Sequence, residues 1–156
     1  MRLVVLLGTS PGVLHTTLCL LQEIGSEPSS ITVYATLPGV AEEALKIAQT
    51  CPCPELGKPP LTSSTRVIVI ELPFDDVVNT NNLEELRRIL APVLGSDTVL
   101  DVSGGRKAMA VAAALEAVAR GSRVIASVIP EDEYERIRSA TSLCDKTARQ
   151  ARLIIF

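Results

Sequence analysis

Five short, almost wholly apolar runs recur along the chain, and helix-length segments separate most of them. The runs are RLVVLL at 2–7, ITVYAT at 31–36, VIVIEL at 67–72, TVLDV at 98–102 and RVIASVI at 123–129. A strand with water on one face alternates apolar and polar residues. Strands this uniformly apolar are covered on both faces, as in parallel sheets whose crossover helices lie above and below. The segments between them read accordingly. Residues 13–25 form a helix with Val13, Leu14, Thr17, Leu18, Leu21 and Ile24 on one face, stopped by Gly25. Residues 40–49 form a second helix. Residues 83–91 form a third, capped by Asn82 or Asn81 and kinked or ended by Pro92. Residues 106–120 form an alanine-rich fourth that runs up to Gly121. Residues 131–140 are charged and helix-prone, and 151–156 (ARLIIF) read as a last strand of undetermined direction, with an antiparallel edge position one possibility.

The expected fold class is α/β: an open, mostly parallel Rossmann-like sheet of about six strands with helices on both faces. The 156 residues suit a single domain, 1–156, with a sizeable core. Two Tyr, two Phe and no Trp leave that core to Leu, Val, Ile and Ala. Residues 51–65 (CPCPELGKPPLTSST) are too rich in proline for a long regular element and read as a surface excursion.

Formal net charge is −3, which argues against a duplex nucleic-acid coat protein but allows an anion in one focused pocket. The leading apolar run is too short for a signal peptide, and no run reaches the ~20 residues of a membrane span. A cytoplasmic protein without membrane contact is expected. Cys19, Cys51, Cys53 and Cys144 lack zinc-knuckle spacing and read as reduced, partly buried thiols, with a disulfide from Cys51 or Cys53 to Cys144 as the alternative.

Ligands of doubly wound sheets bind beyond the C-terminal ends of the strands. Two loops lie there, and they face one crevice if the first and fourth strands are neighbours. The first holds Gly8, Thr9, Ser10, Pro11 and Gly12. It is either an ordinary turn, with Thr9 or Ser10 capping the helix and Pro11 opening it, or a cradle in which hydroxyls and backbone amides meet phosphate oxygens. The second holds Ser103, Gly104 and Gly105, followed by Arg106 and Lys107 in the first helical turn. Cations there oppose the helix dipole unless an anion sits between them and the exposed amides. The bland alternative is a serine cap with solvated basic residues. Neither loop is G-x-G-x-x-G or a P-loop, so nucleotide hydrolysis and dinucleotide redox chemistry have little support. No metal and no cofactor is called for.

Other polar residues have two readings each. Asp101 caps or turns the chain, or it meets Arg106 or a ligand hydroxyl. Asp75, Asp76, Asn79 and Asn82 follow the third strand and could meet bases or ribose, although capping explains Asn82 as well. His15, the single histidine, reads as a surface or interface residue, with a ligand contact as the alternative; the first helix is then a candidate dimer face.

LLGTSPGV after the first strand and DVSGGRKAMA after the fourth together resemble the CRISPR-associated Rossmann-fold (CARF) domains, most closely the stand-alone ring nucleases of type III CRISPR systems. FDDVVNTNNLEEL matches the same family more loosely. The resemblance implies a homodimer that binds a cyclic oligoadenylate, usually cyclic tetra-adenylate, across its two-fold axis. It implies metal-independent cleavage to linear di-adenylate ending in a 2′,3′-cyclic phosphate, which switches off antiviral signalling. Ser10 and Lys107 match the catalytic positions, and Gly8, Thr9, Pro11, Gly12, Ser103, Gly104, Gly105, Arg106, Asp75, Asn79 and Asn82 are the ligand-binding candidates. A non-catalytic sensor of the same ring, acting on a partner protein, is the alternative.

Overall fold

The computed structural model describes residues 1–156. Strands and helices alternate as β1 (Arg2–Leu7), α1 (Gly12–Glu23), β2 (Ser30–Ala35), α2 (Pro38–Thr50), β3 (Arg66–Glu71), α3 (Thr80–Leu90), β4 (Thr98–Gly104), α4 (Lys107–Ala119), β5 (Arg123–Val128), α5 (Glu131–Arg138) and β6 (Arg152–Ile155). A short 3-10 turn, Cys144–Lys146, precedes β6. One sheet carries all six strands in the order β3-β2-β1-β4-β5-β6. The first five are parallel, and β6 runs antiparallel to β5 at the edge.

The two faces of β1 show why helices cover both sides. Leu3, Val5 and Leu7 pack with Leu14, Leu18 and Leu21 of α1 and Ala41, Ala44 and Ala48 of α2. Val4 and Leu6 point the other way, to Leu86 and Leu90 of α3 and Met109, Ala113 and Ala117 of α4. A period of two on the strand thus feeds two separate cores. The alanines of α4 let its backbone lie close to β4 and β5. Its outer side leaves Val111, Leu115 and Val118 exposed in one stripe, which begins at Lys107.

Several expectations change. VIVIEL reads as a buried strand, but β3 is an edge of the sheet, paired only with β2, and Ile68, Val69 and Ile70 are exposed there while Leu72 is buried. The cap of α3 is Asn79 rather than Asn81 or Asn82. Its side-chain oxygen accepts from the Asn82 amide at 2.9 Å, while the Asn82 side chain turns back to accept from the Val78 amide at 3.2 Å. That reciprocal pair starts the helix three residues early.

The cysteines are not reduced. Cys19 pairs with Cys53, and Cys51 with Cys144, at Cα separations of 5.5 and 5.3 Å. The reduced reading is overturned; the alternative named Cys51–Cys144 correctly, whereas Cys19–Cys53 was not anticipated, because partners 34 residues apart meet only through tertiary packing. Residues 51–65 are correspondingly pinned down: Leu61 enters the α1–α2 core, and its amide donates to the Ala48 carbonyl at 3.1 Å. His15 is not a surface residue. It is fully buried, and its Nε2–H donates to the Cys51 carbonyl at 2.9 Å. Residues 14–21 of α1 are all buried within the protomer, which removes that face as a dimer surface. No helix is long and apolar enough to cross a membrane.

Candidate functional site

β1 and β4 are hydrogen-bonded neighbours, and each is followed by one of the two loops singled out in the sequence. The loops therefore lie side by side at the C-terminal edge of the sheet, where the strand order reverses. Their backbones touch. The Gly8 amide donates to the Gly104 carbonyl at 2.8 Å, and the register of β1 on β4 slips just there. A Cβ on Gly8 would stand 2.7 Å from the Gly104 oxygen, and one on Gly104 would stand 2.6 Å from the Leu6 oxygen. A Cβ on Gly12 would collide with the Lys146 carbonyl at 2.1 Å. These glycines answer first to contacts within the protein.

Neither helix that leaves the loops is capped by a side chain. Pro11 precedes α1 and Arg106 precedes α4, and neither Thr9, Ser10 nor Ser103 caps either helix. No side chain satisfies the first-turn amides of either helix, and of those in α1 the Val13 amide donates to the Ser10 carbonyl at 3.4 Å. Arg106 and Lys107 are exposed and form no ion pair.

A cavity of about 570 Å³ opens beside the first loop. Thr9, Ser10, Pro11 and Gly12 line one wall, and Ser103 and Ser127 another. Tyr134 and Arg138 of α5 and Lys146 of the 3-10 turn complete it. Lys146 is ion-paired with Glu43 of α2, which ties the turn to the α2 side of the cavity. Arg136 holds α5 down by donating to Glu133 and to the Thr147 carbonyl, each at 2.8 Å. Sequence reasoning missed Thr16, Glu43, Ser127, Tyr134, Arg138 and Lys146. The charged run at 131–140 was the one hint, and it gave no indication of which way the helix would fold back.

Lys107 does not line that cavity. It stands on the outer side of the second loop, in a shallow hollow with Asp76, Val77, Leu83 and Arg87, between the β3–α3 loop and α4. The β3–α3 loop is thus brought to Lys107 and not to Ser10. Asp75 is exposed on it, and the side-chain oxygens of Asn79 and Asn82 are engaged in capping. A second hollow of about 570 Å³ lies behind α1, lined by Glu23, Glu55, Arg149 and Arg152 among others. It contains no residue of the loops after β1 and β4, although Ile129 and Pro130 after β5 line it.

Asp101 is fully buried. It meets neither Arg106 nor the cavity. Thr17 of α1 donates to its Oδ2 at 2.6 Å, the Ser103 amide donates to Oδ1 at 2.9 Å, and the Ser103 hydroxyl donates to the same Oδ1. Burial pushes its carboxyl above the usual aspartate range, and the bonds from Ser103 and Thr17 pull the other way without cancelling that effect. Burial likewise holds His15 below the ordinary imidazole value. The ligand atoms of His15, Cys19 and Cys53 lie within 4.8 Å of one another, but the two sulfurs are bonded to each other.

The family model described as CRISPR-associated protein NE0113 matches residues 10–141, which include Ser10–Gly12 of the first loop and all of the second. The chain is 33% identical over 139 residues to the CRISPR system ring nuclease SSO2081 of Saccharolobus solfataricus, covering 87% of this chain and 75% of that protein. Its fold is similar to that of Can2 from Sulfobacillus thermosulfidooxidans, whose structure was solved with cyclic tetra-adenylate. The TM-score is 0.53 at 20% identity, over 80% of this chain and 31% of the Can2 chain. The chain therefore spans less than a third of Can2.

Proposed function

The chain belongs to the CRISPR-associated NE0113 family and has a CARF-like fold, and from that premise we propose that it is a ring nuclease. Its substrate is a cyclic oligoadenylate, best matched by cyclic tetra-adenylate, and it cleaves without a metal. The observation that carries this reading is the pairing of two uncapped helix starts, α1 and α4, on adjacent loops at the switch point of the sheet. Two such amide clusters with Arg106 and Lys107 beside them suit successive phosphates of one nucleotide ring.

The reaction needs few groups. A ribose 2′-oxygen attacks the adjacent phosphorus, the O2′–P bond forms, and the P–O5′ bond breaks. The 2′ proton is lost to water and the 5′-oxygen takes one up, leaving a 2′,3′-cyclic phosphate. Ser10 and Lys107 line different hollows, so the bound ring must span both loops: Ser10 then holds the sugar or phosphate in line, and Lys107 neutralises charge developing on the phosphorane-like state. A site of this kind is slow beside a histidine-driven ribonuclease. The lone histidine here is buried and is no candidate for the role.

The functional unit is a homodimer. Lys107 begins the exposed stripe Val111, Leu115 and Val118, which are 56%, 62% and 66% exposed. A second copy packed on that stripe brings two second loops toward one two-fold axis, so a ring contacts both protomers. Asp75, Asn79 and Asn82 then lie at the outer margin of the bound ring, on the Lys107 side.

Purified protein incubated with cyclic tetra-adenylate in EDTA tests the reading. The expected result is linear di-adenylate with a cyclic-phosphate end. Tight binding without products makes the protein a sensor, and no binding rejects both functions.

A further inference from the structure

The hydroxyl of Ser103 has its hydrogen bonds largely assigned before any ligand arrives. Its proton goes to the buried Asp101 Oδ1. The Ser127 amide donates to the Ser103 oxygen at 2.6 Å. Asp101 is itself held as the acceptor, because Thr17 donates to Oδ2 at 2.6 Å and the Ser103 amide to Oδ1 at 2.9 Å in a fully buried site. A serine hydroxyl has one donor and two acceptor positions. One acceptor lone pair remains, on a residue that lines the 570 Å³ cavity beside Ser10.

We propose that Ser103 reads a ribose 2′-hydroxyl as a hydrogen-bond donor, with Asp101 as the positioning residue that keeps the serine an acceptor. The proposal rests on the ring-nuclease reading and sharpens it. Phosphate oxygens only accept, so an acceptor in this wall repels them and leaves the phosphates to the helix amides, Arg106 and Lys107. Among the donors of an oligoadenylate, the 2′-hydroxyl adjoins the phosphate, whereas the adenine amine lies at the far end of the base. The wall thus separates ribose from deoxyribose at a sugar whose phosphate is held next door.

The test measures Kd for cyclic tetra-adenylate, by rapid mixing ahead of turnover, and for its all-2′-fluoro analogue, which keeps size and loses the donor. Wild-type protein is expected to prefer the hydroxyl ring by about tenfold or more, the scale of one lost hydrogen bond at each of two equivalent sugars. Ser103→Ala is expected to lower that preference about fivefold, chiefly by weakening the hydroxyl ring, and Ser103→Thr to restore it. A melting curve on each variant separates loss of fold from loss of contact, and Ser103→Thr carries the test if the alanine variant is unfolded: reduced preference there, in a folded protein, overturns the proposal. Equal weakening of both rings in Ser103→Ala also overturns it, since a phosphate contact or a purely structural role predicts that. Failure of wild-type protein to bind either ring rejects the ring-nuclease reading itself, and this inference with it.

Discussion

The amide of Gly8 donates to the carbonyl of Gly104 at 2.8 Å, so the two loops of the candidate site are fastened to each other by backbone alone. The crevice geometry follows from strand pairing and owes nothing to side chains at that point.

Gly104→Ala therefore strikes the site and the fold together. Its Cβ meets the Leu6 oxygen at 2.6 Å, a backbone atom that cannot swing aside. Urea denaturation should show a loss of about 1–3 kcal/mol, and ring cleavage should fall with it as the loops separate.

Lys107→Ala separates the two effects. The side chain is exposed and unpaired, so the melting temperature should hold. Turnover of cyclic tetra-adenylate should drop by about 10²–10³-fold if this cation meets the developing charge. A variant that melts normally and cleaves normally would remove Lys107 from the mechanism.

Acid should weaken the fold through His15. Its folded-state pKa lies below the ordinary 6.5 because burial disfavours the charged ring. The unfolded chain takes up a proton near 6.5 that the folded chain resists. Stability is then full above 6.5 and is lost as pH falls toward the depressed value. Melting curves between pH 7.5 and 5 should fall more steeply for the wild type than for His15→Gln.

Reduction should cost heavily. Bridges closing spans of 34 and 93 residues restrict the unfolded chain by about 4 kcal/mol each in the loop-entropy account. Calorimetry with and without reductant, and on a Cys51→Ser/Cys144→Ser double variant, checks the size. An unchanged melting temperature would mean that the bridges do not form in solution.

What was readable in the sequence was the part set by local pattern. Apolar runs such as RLVVLL and an alanine-rich segment such as RKAMAVAAALEAVAR report their environment within a few residues. The α/β class and the six strands could then be read, and both loops placed on one edge, facing one crevice only on the condition that the first and fourth strands are neighbours, which they are. Residues whose role depends on distant partners were opaque. Nothing near Asp101 in sequence announces that Thr17, 84 residues away, donates to it. Nothing near His15 announces that the Cys51 carbonyl, 36 residues away, accepts from it. The cavity wall made by Tyr134, Arg138 and Lys146 was hidden for the same reason: the chain must turn back through α5 before β6 can pair antiparallel with β5.

The two bridges interleave along the chain, Cys19 to Cys53 and Cys51 to Cys144, so neither encloses the other. A protease that nicks the exposed stretch around Leu56–Lys58 releases nothing, because Cys51 on one fragment still holds Cys144 on the other. The clipped molecule runs as a single band on a gel and parts into two only when a thiol is added.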